Sequence, residues 1–408
     1  MTKRKGGAMR AVVAGLAMMM AAGAAVAGDL QGHGGPVSAL AAAGDVVVSG
    51  SFDTRAIVWD LGAGTALRVL RHHEGNVSAV ALGPEGPVTG GQDGRVVIWP
   101  EDASERAHAL HQAPVAALAV LPDGGVASAS WDGTIALTGP DGAVAARLSA
   151  HEGKVTGLGL LEGRLASVGE DLRLRLWDGS QTAAVVDLPA QPNAMAAAGP
   201  LAAVAFADGV LRLVGPDGVA EERFLSDRPL IAVAAQGGRM AASDIAGQVW
   251  LLNGDAPAQR LEPGQGPIWS LAFAGDRLLT GGADGRIRAW SAETGSPLAE
   301  AAALQMANDE GPLVWRACAA CHTLGPDDGN RAGPTLYRVM GRRAGTVPDY
   351  DYSPALRETG IIWTEETIAA LFTQGPHAYT PGSRMPDQRI PNPEDLDALV
   401  AFLSRNGR

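Results

Sequence analysis

The stretch VVVSGSFDTRAIVWD, residues 46–60, decides the fold. Small and β-branched residues run to Ser51, a tight polar turn follows at Asp53, and a second extended run from Arg55 ends at Trp59 and Asp60. Two such runs around a turn read as antiparallel strands. The stretch recurs as PVTGGQDGRVVIWP (87–100), VASASWDGTIALTG (126–139), LASVGEDLRLRLWD (165–178), VAFADGVLRLVG (204–215) and LLTGGADGRIRAW (278–290), with a weaker copy MAASDIAGQVWLL (240–252). Seven units therefore begin near His33, His73, His111, His151, Gln191, Arg228 and Gly264, spaced 36–40 residues apart. An alternating segment such as VSALAAA precedes each pair and a short run such as ALRVL follows it, giving four strands per unit. Four short strands cannot bury both faces alone, so repetition at a fixed period reads as radially stacked sheets sharing a core between neighbours.

The recurring residues resemble those of WD-repeat β-propellers. His33, His73, His111 and His151 precede the first strand; Asp53, Asp93, Asp132, Asp171, Asp208 and Asp284 sit at the second turn; Trp59, Trp99, Trp177 and Trp290 end the third strand. In that family His, Asp, Ser/Thr and Trp make a hydrogen-bonded strut inside each blade. Only Trp59-Asp60 and Trp177-Asp178 keep the full dipeptide, and the units at Gln191 and Arg228 lack both His and terminal Trp, which leaves their struts open. The resemblance implies a seven-bladed all-β propeller. A row of histidines and aspartates is also the material of a metal site, but residues that recur once per repeat lie in different blades and read as structural. Ring closure has two candidate strands, Gly28–Gln31 and SPLAEAA (296–302). Trp131, Trp250 and Trp269 break the repeat and read either as packing or as a binding face.

At 408 residues, 46% hydrophobic and 19% charged, the chain is globular and long enough for two or more domains. Its 54 glycines and 5% aromatic content favour short strands and turns over helical bundles. Residues 1–27 read as a cleavable export signal: Lys3, Arg4, Lys5 and Arg10 lead, AVVAGLAMMMAAGAAVA follows, and Ala25–Ala27 fits the small-residue cleavage pattern. An uncleaved anchor is the alternative, at a length near the lower limit for spanning. Cleavage predicts a periplasmic mature chain with no membrane span. It also removes four basic residues and moves the formal charge from −12 to −16, which argues against nucleic acid or an anionic lipid surface as partner.

After about residue 303 the repeat stops and helix signals begin. Asn308 or Asp309 can cap a helix with Pro312 in its first turn; Thr364 can cap TEETIAALF, with Ile368, Leu371 and Phe372 on one side; Asn392 and Pro393 open NPEDLDALVAFL, with Leu396, Leu399, Val400 and Leu403 as its apolar stripe. The first of these segments carries CAACH, Cys318 to His322, with the only two cysteines of the chain. On a helix, positions 318, 321 and 322 share a face. Two thiols there can form thioethers to two vinyl groups of a haem while the adjacent imidazole reaches the iron, which is the c-type attachment signature. A structural zinc site needs four ligands and no second pair is present; a thioredoxin-like pair needs a βαβ setting; a disulfide within one turn constrains little.

The motifs that follow resemble class I cytochrome c. RAGPTL (331–336), GRRAG (341–345), DYSPAL (351–356), GIIW (360–363) and YTPGSRMP (379–386) stand in the family's order. The resemblance implies one covalent haem c on Cys318 and Cys321, His322 as proximal ligand with Pro334 receiving its imidazole N–H, and Met385 as distal ligand. Met340 and His377 are rivals on chemistry alone. Arg342, Tyr352 and Trp363 fall where the family contacts the haem propionates, and Ser383 where a hydroxyl holds the methionine loop; plain packing or solvation is the other reading of each. Two features depart from the family: this region has no lysine, and PDQRI (386–390) stands where an aromatic is expected after the methionine.

The expected organisation is thus multidomain: signal peptide 1–27, propeller 28–303, and a small all-α cytochrome c fold 304–408. The function this predicts is a periplasmic single-electron carrier whose propeller docks redox partner proteins. Two other readings stay open: an oxidoreductase whose propeller binds substrate or a second cofactor and whose haem removes electrons, and a redox-sensing scaffold or assembly factor. The two domain folds host all three roles and do not choose among them.

Overall fold

The computed structural model describes residues 29–101, 104–298, 314–315, 318, 322–325, 333–348, 350, 352–383, 385 and 388–407. The expected export signal, the helix start at Asn308 or Asp309 and Cys321 lie outside these residues. Seven four-stranded antiparallel sheets follow one another along the chain. Blade one holds β2 (Val37–Ala43), β3 (Val46–Ser51), β4 (Arg55–Asp60) and β5 (Thr65–Arg71) in sequence order. Blade seven is built from β26 (Ile268–Ala274), β27 (Arg277–Gly282) and β28 (Arg286–Ser291), and its outer edge is completed by β1 (Leu30–Gln31).

Closure therefore draws on both candidate strands. Leu30 pairs with Ile287 and Gln31 with Arg286, while Pro297 bridges Trp290 and the Leu298 N–H donates to the Ala289 carbonyl at 3.0 Å. The N-terminal strand takes one half of β28 and the stretch after the repeat takes the other. Leu30 is buried against Trp59, Ile287 and Leu279, a burial worth roughly 1.5–3 kcal/mol, and Asp29 pairs with Arg286 and Arg288.

The first strand of every blade carries a bulge after its first residue. A bulge re-aims a side chain, and here the re-aimed residue reaches the next blade. Ser78 donates to the Val115 carbonyl (2.6 Å), Thr156 to Pro192 (2.9 Å) and Asn193 to Leu230 (2.8 Å). Ser270, two residues into β26, donates to Val37 at 3.3 Å and so ties blade seven to blade one.

Inside the blades the expected strut is present where its residues survive. His33 Nδ1 lies 3.0 Å from Asp53, His33 Nε2 lies 2.7 Å from Ser49 Oγ, and Trp59 Nε1 donates to that same oxygen at 2.8 Å. Blades two and four repeat this with His73–Asp93, Thr89 and Trp99, and with His151–Asp171, Ser167 and Trp177. The units that lack the His, the terminal Trp or both use other pairs. Arg212 grips Asp208 with two hydrogen bonds in blade five, Ser226 donates to the buried Asp244 in blade six, and Gln265 stands in for His in blade seven, reaching Asp284 and Thr280. Trp250 is buried in the core, Trp269 packs beside Phe52, and the half-exposed Trp131 lies under Lys154 Nζ at 4.9 Å.

The C-terminal region holds α1 (Pro354–Glu358), α2 (Glu365–Gln374), α3 (Pro376–Tyr379) and α4 (Pro393–Asn406). Thr364 caps α2 with a reciprocal box to Thr367, and Asn392 caps α4 ahead of Pro393. Ile368, Leu371 and Phe372 meet Leu399, Phe402 and Leu403, with Leu396 and Val400 partly buried beside them. Trp315 packs on Phe402 with ring centroids 5.2 Å apart. Among the described residues no helix is long and apolar enough to cross a membrane.

Two predictions follow from the struts. Ser49→Ala strands both His33 Nε2 and Trp59 Nε1 in the core, and denaturant unfolding should show a loss of about 1–3 kcal/mol; no loss contradicts the strut. The propeller should also be acid-labile. Burial lowers the pKa of His111 and His151 below the usual 6.5, so the stability they contribute as neutral rings is present above 6.5 and lost as pH falls below it. At Asp93 burial opposes the shift, but the His73 hydrogen bond and charge and two backbone N–H groups hold the carboxyl at about 2. Its contribution is present above the usual 3.8 and fades toward 2. Thermal melts followed by circular dichroism should fall in those two windows, and a flat profile is the contrary result.

Candidate functional site

Trp315 and Cys318 are helical, and the His322 N–H donates to the Cys318 carbonyl four residues earlier at 2.9 Å. Cys318 is buried, and burial pushes its thiol up to about 11, so the sulfur is a protonated thiol before any bond forms to it. His322 Nδ1 lies 2.7 Å from the Pro334 carbonyl. A carbonyl can only accept, so Nδ1 carries the proton and the ring's lone pair sits on Nε2. Gly333 lets the strand approach: a Cβ there would lie 2.4 Å from His322 Cε1. The Leu336 N–H then donates to the Thr323 carbonyl at 2.8 Å, locking the Gly-Pro segment across the histidine.

The other residues reach the same place from four directions. Arg342 is anchored to the carbonyls of Tyr337 (2.7 Å) and Thr335 (2.8 Å). The Trp363 N–H donates to the Arg342 carbonyl at 2.9 Å, bringing tryptophan and arginine to one side. Tyr352 is buried, which pushes its hydroxyl up to about 12 despite the Arg342 charge, so it stays a donor. The Met385 N–H donates to Ser383 Oγ at 3.1 Å, and the Ser383 N–H donates to the Thr380 carbonyl, closing the loop after α3.

Cys318, His322, Pro334, Arg342, Tyr352, Trp363, Ser383 and Met385 all line one pocket, floored by Trp315, Leu371, Phe372 and Leu403. Neither rival ligand lines it. Met340 sits in a turn rather than a helix, its N–H bonded to the Gly407 carbonyl, and His377 is exposed on α3. An apolar slot with an oriented imidazole, a thiol, a thioether, and buried Arg and Tyr donors fits a haem with its two carboxylates.

A family model for cytochrome c matches residues 309–406. Cytochrome c2 of Afifella marina is 40% identical over 96 residues, 23% of this chain and 77% of that protein. The chain belongs to the cytochrome c family. A cytochrome c homolog of Rickettsia felis is 37% identical over 95 residues, and the chain spans about half of that relative, 54%. The cytochrome domain follows a second recognised part: the WD domain, G-beta repeat model matches 26–60, 64–100, 105–137 and 257–291. The WD40 β-propeller domain of Doa1 superposes with a TM-score of 0.59 over 65% of this chain and 95% of that domain, at 20% identity, a likeness of fold.

Among the pocket residues that the sequence reading did not assign to the site are Tyr350 of the cytochrome domain, and Gly34, Asp53 and Arg55 of blade one. The propeller residues belong to its repeat pattern, so only the folded arrangement shows that they also face this pocket.

Gly333→Ala should push the imbalance onto His322, because the added methyl overlaps the ring. The expected result is a large drop in haem retained by the purified protein relative to wild type, read by absorbance. Full haem content with an unchanged spectrum contradicts the packing of Gly333 on the proximal histidine.

Proposed function

We propose that the protein is an exported single-electron carrier, with one haem c bound through Cys318 and Cys321 in the cytochrome domain and a propeller that docks its redox partner proteins. The observation that carries this reading is the meeting of His322, oriented by Pro334, and Met385, held by Ser383, in one apolar pocket. A haem c held there supplies reversible one-electron chemistry at iron, with a soft thioether favouring the reduced state. His322, through Nε2, and Met385, through its sulfur, are the residues of the chain that would hold the iron. That arrangement suits electron transfer over substrate binding at the metal.

The remaining residues set the environment. The half-buried Arg342 and the buried Tyr352 are donors for the haem carboxylates, and Trp363 joins them through the Arg342 backbone. The propeller's repeated His and Asp side chains are engaged in struts, which favours a docking platform over a catalytic cluster. The basic leader with its Ala25–Ala27 cleavage pattern supports export to the periplasm, where covalent attachment keeps a cofactor that is not easily replaced.

Met385→Ala is the direct test. The sulfur-to-iron charge-transfer band of the oxidised protein should vanish and the midpoint potential should fall, with covalent haem retained. If the band persists, Met385 is not the distal ligand. Substrate turnover by the wild-type chain without a partner protein would replace the carrier with the oxidoreductase.

A further inference from the structure

The haem pocket is not bounded by the cytochrome domain alone. Gly34, Asp53 and Arg55 of blade one complete its wall. Arg55 Nη2 donates to the Tyr350 hydroxyl at 3.0 Å, the Arg71 guanidinium stacks 4.7 Å over the Tyr350 ring, and Tyr350 packs on Tyr352 with centroids 4.6 Å apart. A tyrosine of the cytochrome domain is thus clamped by two arginines of the propeller.

The repeats supply internal controls for Arg55. The pattern Asp-x-Arg recurs at Asp93–Arg95, Asp171–Arg173 and Asp284–Arg286. Those three arginines are solvated, with side chains 34%, 44% and 34% exposed, and each reaches a carboxylate: Glu74 at 3.3 Å, Asp187 at 3.5 Å and Asp29 at 3.8 Å. Arg55 is 3% exposed. Its Nη1 donates to the Asp53 backbone carbonyl at 3.0 Å; among the described residues its buried Nε–H has no hydrogen-bond partner and no carboxylate forms an ion pair with it. The nearby Asp53 carboxylate is committed elsewhere, to His33 Nδ1, the Gly34 N–H and the Arg55 N–H. Arg55 also stands directly across the ladder from Arg71, a like-charge pair that is unfavourable without an anion.

A buried guanidinium with an unsatisfied N–H is costly unless something negative meets it. Asp53, committed as described, is the one carboxylate among the described residues that line the pocket, so a further anion for Arg55 has to come with the ligand. We infer that Arg55 of the propeller binds a carboxylate of the haem, making the haem site composite, with blade one as its outer wall. This rests on the haem reading above. It assigns the propeller a second role beside docking: it covers the carboxylate edge of the haem and places a fixed positive charge beside it. A cation there favours the added electron, and burial shields the effect from salt.

The test uses the full-length holoprotein. Arg55→Gln should lower the midpoint potential, Arg55→Lys should keep most of it, and Arg164→Gln, an exposed arginine of blade four, should leave it unchanged. Redox-difference infrared spectra should show the haem carboxylate stretches displaced in Arg55→Gln and Arg55→Lys alone. Should Arg55→Gln not fold, the wild type still decides. In guanidinium-¹⁵N-labelled protein, one exchange-protected arginine Nε–H, absent in Arg55→Lys, should shift between the reduced and the paramagnetic oxidised states. An unchanged potential and unchanged carboxylate bands in a folded, haem-loaded Arg55→Gln, or no such Nε–H in the wild type, overturns the composite site. A wild-type chain without covalent haem overturns instead the haem assignment on which it rests.

Discussion

The pairing of Leu30 and Gln31 with Arg286 and Ile287 is the constraint on which the rest of the structure depends. A four-stranded blade survives only between neighbours, so seven blades need a ring, and the ring needs its first and last units joined. The joint is divided between two ends of the repeat region. Two residues at the start supply half of an edge strand, and Pro297 and Leu298 supply the other half. Side-chain hydrogen bonds from the bulged residues Ser38, Ser78, Thr156 and Asn193 to the next blade carry the same linkage, with Ser270 closing the ring onto Val37.

This closure brings the chain back to blade one before the helical domain begins. Blade one is the blade that meets the haem pocket, through Arg55, Arg71 and Tyr350. The cytochrome domain has its own core, built from Trp315, α2 and α4, and its own proximal histidine, fixed by Pro334. What the fusion adds is a basic wall on one edge of that pocket. The domain has no lysine and lines the pocket with its own Arg342, to which the propeller adds Arg55.

Most of the architecture was legible in the sequence because both parts signal through fixed spacings. The seven turns around Asp-Gly or its equivalents mark the blades, and the backbone explains why: the residue after the aspartate takes positive φ, at Gly94, Gly133 and Gly285, and even at Thr54 and Leu172. The pocket residues were legible for the same reason, since Pro334, Met385 and their neighbours keep their order after CAACH. What was not legible depends on substitutions that keep the geometry while changing the chemistry. Gln265 in place of His, Arg212 gripping Asp208 and Ser226 against Asp244 have no common signature, although each holds its blade. Arg55 was hidden for the opposite reason. It shares its motif with Arg95, Arg173 and Arg286, and only burial against another domain distinguishes it.

The proposed carrier function requires a haem joined covalently to this chain. Intact mass spectrometry of the purified protein under denaturing conditions tests that most directly. The predicted result is a single species carrying one haem, which is lost when Cys318 and Cys321 are both replaced by alanine. A mass equal to the bare polypeptide, from cells able to attach haem c, contradicts the site, its ligands and the carrier function together.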